Sequence, residues 1–241
     1  LHFGTWVGGD RDGNPNVTAQ TTVDVLEAQH DHALRGLITA VEELSSELSP
    51  SERLVTISDE LAESLDEDAK LLPQVYQRFS RLSAGEAYRQ KCAYIYQRLI
   101  NTRHRIADGA AHQPGLDYGG PEQLLAELHI MHRSLVASRG ELIAGGMLNR
   151  LMRRVAAFGF HLATMDVREH STKHHGALQA LYARLGEEGY DRLDRAHRLQ
   201  RLEHELSGRR PLAPVVAVLA GEAERTLETF RGIRRAQDRF G

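Results

Sequence analysis

Phe3-Gly4-Thr5-Trp6-Val7-Gly8-Gly9-Asp10-Arg11-Asp12-Gly13-Asn14-Pro15-Asn16 is the most informative stretch of this chain. Its first five residues are aromatic or β-branched around one glycine, and two glycines follow at once. The pattern predicts a short buried strand over Phe3 to Val7 that runs into a polar loop over Gly8 to Asn16. Thr18 then reads as the N-cap of a long helix. Its apolar stripe of Val23, Leu26, Leu34, Leu37, Ile38, Val41, Leu44 and Leu48 follows three-and-four spacing until Pro50 ends it. A strand that ends in a glycine-rich polar loop leading into a helix is a common address for active-site loops.

Outward from this stretch the chain reads as helix. Ser58 followed by Asp59 and Glu60 marks a second helix start, with acidic residues on the positive end of the dipole. The acidic stretch from Asp59 to Asp68 reads as a solvated face. A third helix, from about Ala84 to Ile106, buries Tyr88, Cys92, Ile95 and Leu99, with Tyr96 beside them. Gly109 to Gly120 has no periodicity and reads as a mobile surface loop. Pro121 suits the first position of the next helix, with Leu124, Leu125, Leu128, Met131 and Leu135 inward. Another helix follows from Leu142, burying Met147, Leu148, Leu151, Met152 and Val155. From Phe158 to Arg168 the period changes: apolar residues fall on both parities up to Val167, as in a strand covered on both faces. Ser171 starts a further helix with Leu178, Leu181, Tyr182 and Leu185 on one face. Two Arg-rich helices, Asp194 to Leu206 and about Gly221 to Arg239, flank a turn at Pro211 to Pro214. The expected fold is mainly α, six or seven helices around two short strands.

Composition narrows the function. The 241 residues are 41% hydrophobic and 26% charged, ordinary globular usage with enough apolar surface for a core. The formal charge of −3 excludes a global basic field for nucleic acid or anionic lipid. Only Lys70, Lys91 and Lys173 among the 30 cations are lysines; the rest are arginines, suited to paired recognition of phosphate or carboxylate, although genomic base composition is the plainer account of the excess as a whole. The single Cys92 forms no internal disulfide, and no secretory signal or long apolar span occurs, so a cytoplasmic protein without membrane or nucleic-acid partners is expected. The chain opens Leu-His-Phe without an initiator Met and breaks off at Arg239-Phe240-Gly241, which reads as an internal piece of a longer protein.

Two segments carry candidate chemistry. Asp10, Asp12 and Asn14 alternate like the start of a calcium loop, but Pro15 takes the glycine position and Thr21 the place of the bidentate Glu. No Gly-Lys-Ser/Thr follows the glycines, so a P-loop is excluded as well. What remains is an active-site loop, or an Asx-rich turn with Arg11 paired to Asp10 or Asp12. Arg168 closes the second strand. A guanidinium there keeps its proton and must meet a phosphate, a carboxylate or water; the structural alternative is a pair with Asp166 or Glu169. The spacings of His170 with His174 and of His129 with His132 put each pair on one helix face, yet no third ligand lies at motif spacing, and no metal site is assigned to this segment.

These two segments also carry a resemblance. Phe3 through Thr18 closely resembles the FGSWxGGDRDGNPxVT stretch of the phosphoenolpyruvate carboxylase family, and Phe158 through Arg168 is similar to its FGxxLxxLDIRQES stretch. Their order and separation match, as does Gly-Arg-Arg-Pro-Leu at 208 to 212, so the resemblance covers the whole chain, residues 1–241. It implies helices around a few short parallel strands of an incomplete eight-stranded α/β barrel, and a parent that is usually a homo-tetramer. It also implies an activity for that parent: joining bicarbonate to phosphoenolpyruvate to give oxaloacetate and phosphate, with Mg²⁺ or Mn²⁺. Carried over by residue, Trp6 matches the indole lining the apolar pocket for the substrate's methylene carbon. Arg168 matches the arginine that holds the transferring phosphoryl group, a catalytic and substrate-binding role. Gly8, Gly9, Asp10, Arg11, Asp12, Gly13 and Asn14 shape the loop.

The sequence also departs from the family pattern. After Arg168 the usual Gln-Glu-Ser is Glu169-His170-Ser171, which changes the residues available to support the arginine. The family's TAHPTE segment, its metal-binding carboxylates and its GRGG loop occur nowhere in these residues. The chain is therefore expected to supply one side of a site and to be inactive by itself. The competing expectation is a helical binding or scaffold module descended from the enzyme.

Overall fold

A computed structural model describes residues 3–48, 56–79, 85–209, 211–213 and 217–240. The chain divides into two compact units, one of Leu1–Gly4 and Leu26–Thr164, the other of Thr5–Val25 and Met165–Gly241.

The first unit is helical. Most of α1 (Ala19–Glu47) lies in it, followed by α2 (Asp59–Leu71), α3 (Pro73–Phe79), α4 (Ala87–Asp108) and α5 (Pro121–Ala137). A short α6 (Glu141–Ile143) then passes through a π-helical turn at Ala144–Leu148 into α7 (Asn149–Phe158). The stripe of α1 is buried from Leu34 to Leu48, and Tyr88, Cys92, Ile95 and Leu99 of α4 are fully buried as well. Local chemistry sets the helix ends. The Ser58 hydroxyl accepts the Leu61 N–H at 3.3 Å, the N-cap expected at that position. Gly109, at φ +64°, ends α4 in the left-handed conformation that glycine adopts without a Cβ penalty. Pro50 and Ala84, read above as helix limits, lie outside the described residues, as do Arg210 and Pro214.

Asp68 corrects the reading of Asp59 to Asp68 as a solvated face: it is only 3% exposed. Its carboxylate binds Lys91 Nζ at 2.7 Å and Arg98 Nη2 at 2.6 Å, and Glu127 completes the network at 3.0 Å from each cation. Two buried positive and two largely buried negative groups neutralise one another, which is how ionised side chains persist away from water. The 109–120 stretch forms no helix, and its far end is anchored. Asp117 takes Arg105, His112 and the Gln113 N–H, while the Tyr118 N–H donates to Thr102 Oγ1 at 2.9 Å.

The second unit holds the loop, α8 (Ser171–Arg184), a 3₁₀ turn at Tyr190–Arg192, α9 (Arg195–Ser207) and α10 (Gly221–Phe240). Helices α8 and α10 pack on each other. Gly232 of α10 lies so close to Ala19 that a Cβ there would meet the alanine methyl at 2.9 Å. On α8, Leu181 and Tyr182 are buried as expected, but Leu185 is exposed.

Two strands occur among the described residues, β1 (Gly4–Thr5) and β2 (Thr164–Met165), paired in parallel. The Thr164 N–H donates to the Phe3 carbonyl and the Asp166 N–H to the Thr5 carbonyl. Both are shorter than the sequence pattern predicts. Helix α7 runs through Phe158, whose ring stacks on Phe3 at 5.0 Å, and Gly159 at φ +52° then breaks into a turn that lasts to Ala163. The reading of Phe158 to Arg168 as a strand covered on both faces is therefore corrected. Phe158 continues the three-and-four spacing of Leu148, Leu151 and Val155, residues 159–163 form a turn, and Asp166 to Arg168 are exposed. Phe3, Trp6 and Val7 are likewise exposed, so β1 is not the buried strand expected. The eight-stranded barrel is not seen in two strands of two residues.

Candidate functional site

The loop after β1 folds back on its own strand: the Trp6 carbonyl accepts the N–H groups of Gly9 and Asp10 at 2.9 and 3.1 Å. It then runs beside the residues after β2. The Arg168 N–H donates to the Gly9 carbonyl and the Arg11 N–H to the Arg168 carbonyl, each at 2.9 Å, a parallel bridge that extends the pairing of the strands. Gly9 is required by this approach, because a Cβ there would lie 2.1 Å from the Asp166 carbonyl oxygen. Gly8 adopts φ +80° and leaves no room for a side chain against Val25.

This backbone brings together Trp6 and Arg168, which are 162 positions apart. The Arg168 guanidinium carbon stands 4.7 Å from the Trp6 ring centroid, a cation–π stack. Among the described residues it pairs with Asp10, and the pair is long, 3.7 Å from Nη1 to Oδ2. Neither Asp166 nor Glu169, the partners expected from sequence, pairs with it. Glu169 instead binds Lys173 at 3.2 Å. The Arg168 side chain is 48% exposed and Trp6 57% exposed, so both side chains reach solvent. The sequence pattern places Arg168 at the end of a buried strand; it lies three residues beyond β2, in an exposed stretch.

Arg11 behaves differently although it is only two residues from Trp6's loop bonds. It is 4% exposed. Its Nη1 donates to the Gly9 carbonyl at 3.2 Å, and its Nη2 to the Thr18 carbonyl at 3.3 Å and to Thr22 Oγ1. The Thr22 hydroxyl in turn donates to the Gly8 carbonyl at 2.7 Å. The surface pair of Arg11 with Asp10 or Asp12 is therefore not formed. Burial lowers the Arg11 pKa and the charge of Glu169 opposes that shift, yet a guanidinium keeps its proton across the physiological range. Asp10 and Asn14 close local turns through the N–H groups of Asp12 and Asn16, and Thr18 caps α1 by accepting the Thr21 N–H at 3.1 Å. Thr22 was not legible as a site residue: a threonine one turn into a helix carries no signal until the loop is seen folded over it.

Two histidines of the pairs singled out by spacing, His129 and His170, serve local bonding. His129 Nδ1 lies 2.7 Å from the Leu125 carbonyl, and His170 caps α8 by accepting the Thr172 N–H. No group of three or more His, Cys, Asp or Glu that could hold a metal ion occurs among the described residues. No helix among them is long and apolar enough to cross a membrane.

The sequence matches the phosphoenolpyruvate carboxylase family over residues 1–241. Curated proteins named phosphoenolpyruvate carboxylase are similar along the same length. That of Roseiflexus castenholzii is 38% identical, covering 100% of this chain and 26% of the relative. That of Gloeobacter violaceus is 39% identical over 99% of this chain and 26% of the relative, and that of Rhodopseudomonas palustris 36% over 100% and 26%. The chain spans about a quarter of the length of these relatives. The family match along residues 1–241, with relatives 36–39% identical over the same length, places the chain in the phosphoenolpyruvate carboxylase family.

Proposed function

We propose that this chain is one segment of a longer phosphoenolpyruvate carboxylase, supplying one side of the site that joins bicarbonate to phosphoenolpyruvate. The observation that carries the reading is the Arg168 guanidinium stacked on the exposed Trp6 ring, with Asp10 as a distant counter-charge. A half-exposed guanidinium whose donor fork is not consumed by a close carboxylate is ready for a phosphoryl group, to which it can offer paired, charge-assisted hydrogen bonds. As the phosphoryl group passes to bicarbonate, negative charge spreads over its outer oxygens, and donors already in place stabilise that charge without reorganising. The Trp6 face beside it is a flat apolar wall for the carbon skeleton, and its stacking holds the guanidinium plane in one orientation. The parent assembles as a homo-tetramer in the cytoplasm in this reading.

The divalent ion that such an enzyme uses, Mg²⁺ or Mn²⁺, supplies charge neutralisation for the enolate when bound. In this reading its ligands are the metal-binding carboxylates of the remainder of the parent, and this segment's own residues bind and orient the substrate.

The test is steady-state kinetics of the full-length parent, read by coupling oxaloacetate to malate dehydrogenase. Arg168→Lys keeps the charge and loses the paired geometry, so kcat/KM is expected to fall by about one to two orders of magnitude. Trp6→Ala is expected mainly to raise KM, because an apolar wall contacts substrate and transition state about equally. Unchanged activity in Arg168→Lys, or loss that tracks unfolding alone, would reduce Arg168 to a structural residue.

A further inference from the structure

We infer that Arg11 and Thr22 form a buried clasp that positions the Trp6–Arg168 platform, and that neither residue meets substrate. An arginine in a glycine-rich loop invites the role of anion binder. Its surroundings assign another. Arg11 has almost no solvent-exposed surface, and two of its three guanidinium nitrogens are spent on the carbonyls of Gly9 and Thr18 and on Thr22. Its Nε is buried and meets no hydrogen-bond partner. What Arg11 grips is the backbone that holds the platform. The Gly9 carbonyl takes both Arg11 Nη1 and the Arg168 N–H, and the Gly9 N–H donates to the Trp6 carbonyl. Gly8, next to it, is tied to α1 by the Thr22 hydroxyl, which simultaneously accepts from Arg11. Trp6, Gly8, Gly9, Arg11, Thr22 and Arg168 thus form one connected network. Only Trp6 and Arg168 present large side chains to solvent, and only Arg11 places a charge inside.

The network has a consequence for both residues. Thr22 acts through its hydroxyl, which donates once and accepts once; valine has nearly the same shape and can do neither, and it leaves the Gly8 carbonyl without that donor. Serine keeps both bonds. For Arg11, lysine keeps the charge but cannot reach two carbonyls and a hydroxyl from one planar group. Loss of either member frees the Gly8–Gly9 backbone, and with it the register in which the Arg168 guanidinium covers the indole.

The clasp deepens the functional reading above, on which its purpose rests, but its test needs no activity. Trp6 is the single tryptophan of the chain, so its fluorescence reports the platform directly. Acrylamide quenching is measured on the 241-residue protein and on Thr22→Val, Thr22→Ser, Arg11→Lys and Arg168→Ala, with far-UV helicity recorded for each. Arg168→Ala removes the cation from one of the ring's two faces and is expected to raise the quenching constant about twofold. Thr22→Val and Arg11→Lys are expected to move most of that way at unchanged helicity, with Thr22→Ser staying at the parent value. A folded Thr22→Val or Arg11→Lys that quenches like the parent, while Arg168→Ala does not, overturns the proposal. So does loss of helicity in both Thr22→Val and Arg11→Lys, which assigns the pair to overall stability. If quenching responds as expected and the full-length parent fails to carboxylate, the clasp stands and the enzymatic reading falls.

Discussion

At Gly9 a single hydrogen atom decides whether two segments can meet, because a methyl group in its place would collide with the Asp166 carbonyl oxygen. That oxygen belongs to backbone and cannot swing aside, so Gly9→Ala is expected to cost about 1–3 kcal/mol by the overpacking route. It is also expected to disturb Trp6 emission, and a urea melt with fluorescence detection reads both effects together. Cys92 gives a second prediction on this scale. Burial pushes its thiol up to about 12 from an ordinary 9.0, against the pull of Arg89 and Lys91. Well below pH 9 the thiol is neutral in both folded and unfolded chains and contributes nothing to pH dependence. Between about 9 and 12 the unfolded chain loses this proton and the folded one keeps it, so stability falls as pH rises, by about 1.4 kcal/mol per pH unit for one such group. Cys92→Ala is expected to flatten the decline of the urea midpoint across that window, and an equally steep decline would show that the thiol is not the group responsible. Cys92 should also react with a thiol reagent at pH 8 far more slowly in the native protein than in urea.

On the scale of the element, α2 and α4 show how a helix can carry its charge inward. Leu61, Leu65, Asp68 and Leu72 follow helical spacing, so Asp68 sits on the apolar stripe, and Lys91 and Arg98 are two turns apart on α4. That register is the signal that could have corrected the solvated reading of the acidic stretch. Composition favoured solvation because neighbouring Asp66 and Glu67 do face water. Removing Asp68 leaves Lys91 and Arg98 buried with Glu127 alone, and the uncompensated charge makes Asp68→Ala expensive, an expected loss of about 3–5 kcal/mol in urea unfolding. A loss below 1 kcal/mol would mean that water reaches the network. The N-cap of the same helix is a smaller device, and Ser58→Ala is expected to cost about 1 kcal/mol.

For the molecule as a whole, the expectation is that these 241 residues do not carboxylate phosphoenolpyruvate alone. The substrate carries several negative charges, and among the described residues the platform offers one open guanidinium and no cluster of metal ligands. A coupled assay with Mg²⁺ and bicarbonate is expected to stay at background, and turnover that survives stringent purification would sink the claim that the site is divided along the parent chain. Much of the architecture behind this expectation is written locally. Helix positions, the caps at Thr18 and Ser58 and the glycine-rich loop follow from spacing and side-chain chemistry within a few residues, and the loop's motif is long enough to carry the family. The roles of charges whose partners lie far along the chain come from the tertiary contacts alone. Asp68 became a core residue through Lys91 and Arg98. Arg11 went inside and Arg168 outside, although the first read as a loop arginine and the second as the end of a buried strand, because the first found two carbonyls and a threonine hydroxyl while the second found an indole face. A guanidinium costs too much to bury without partners, and no local pattern in a sequence says where those partners will be.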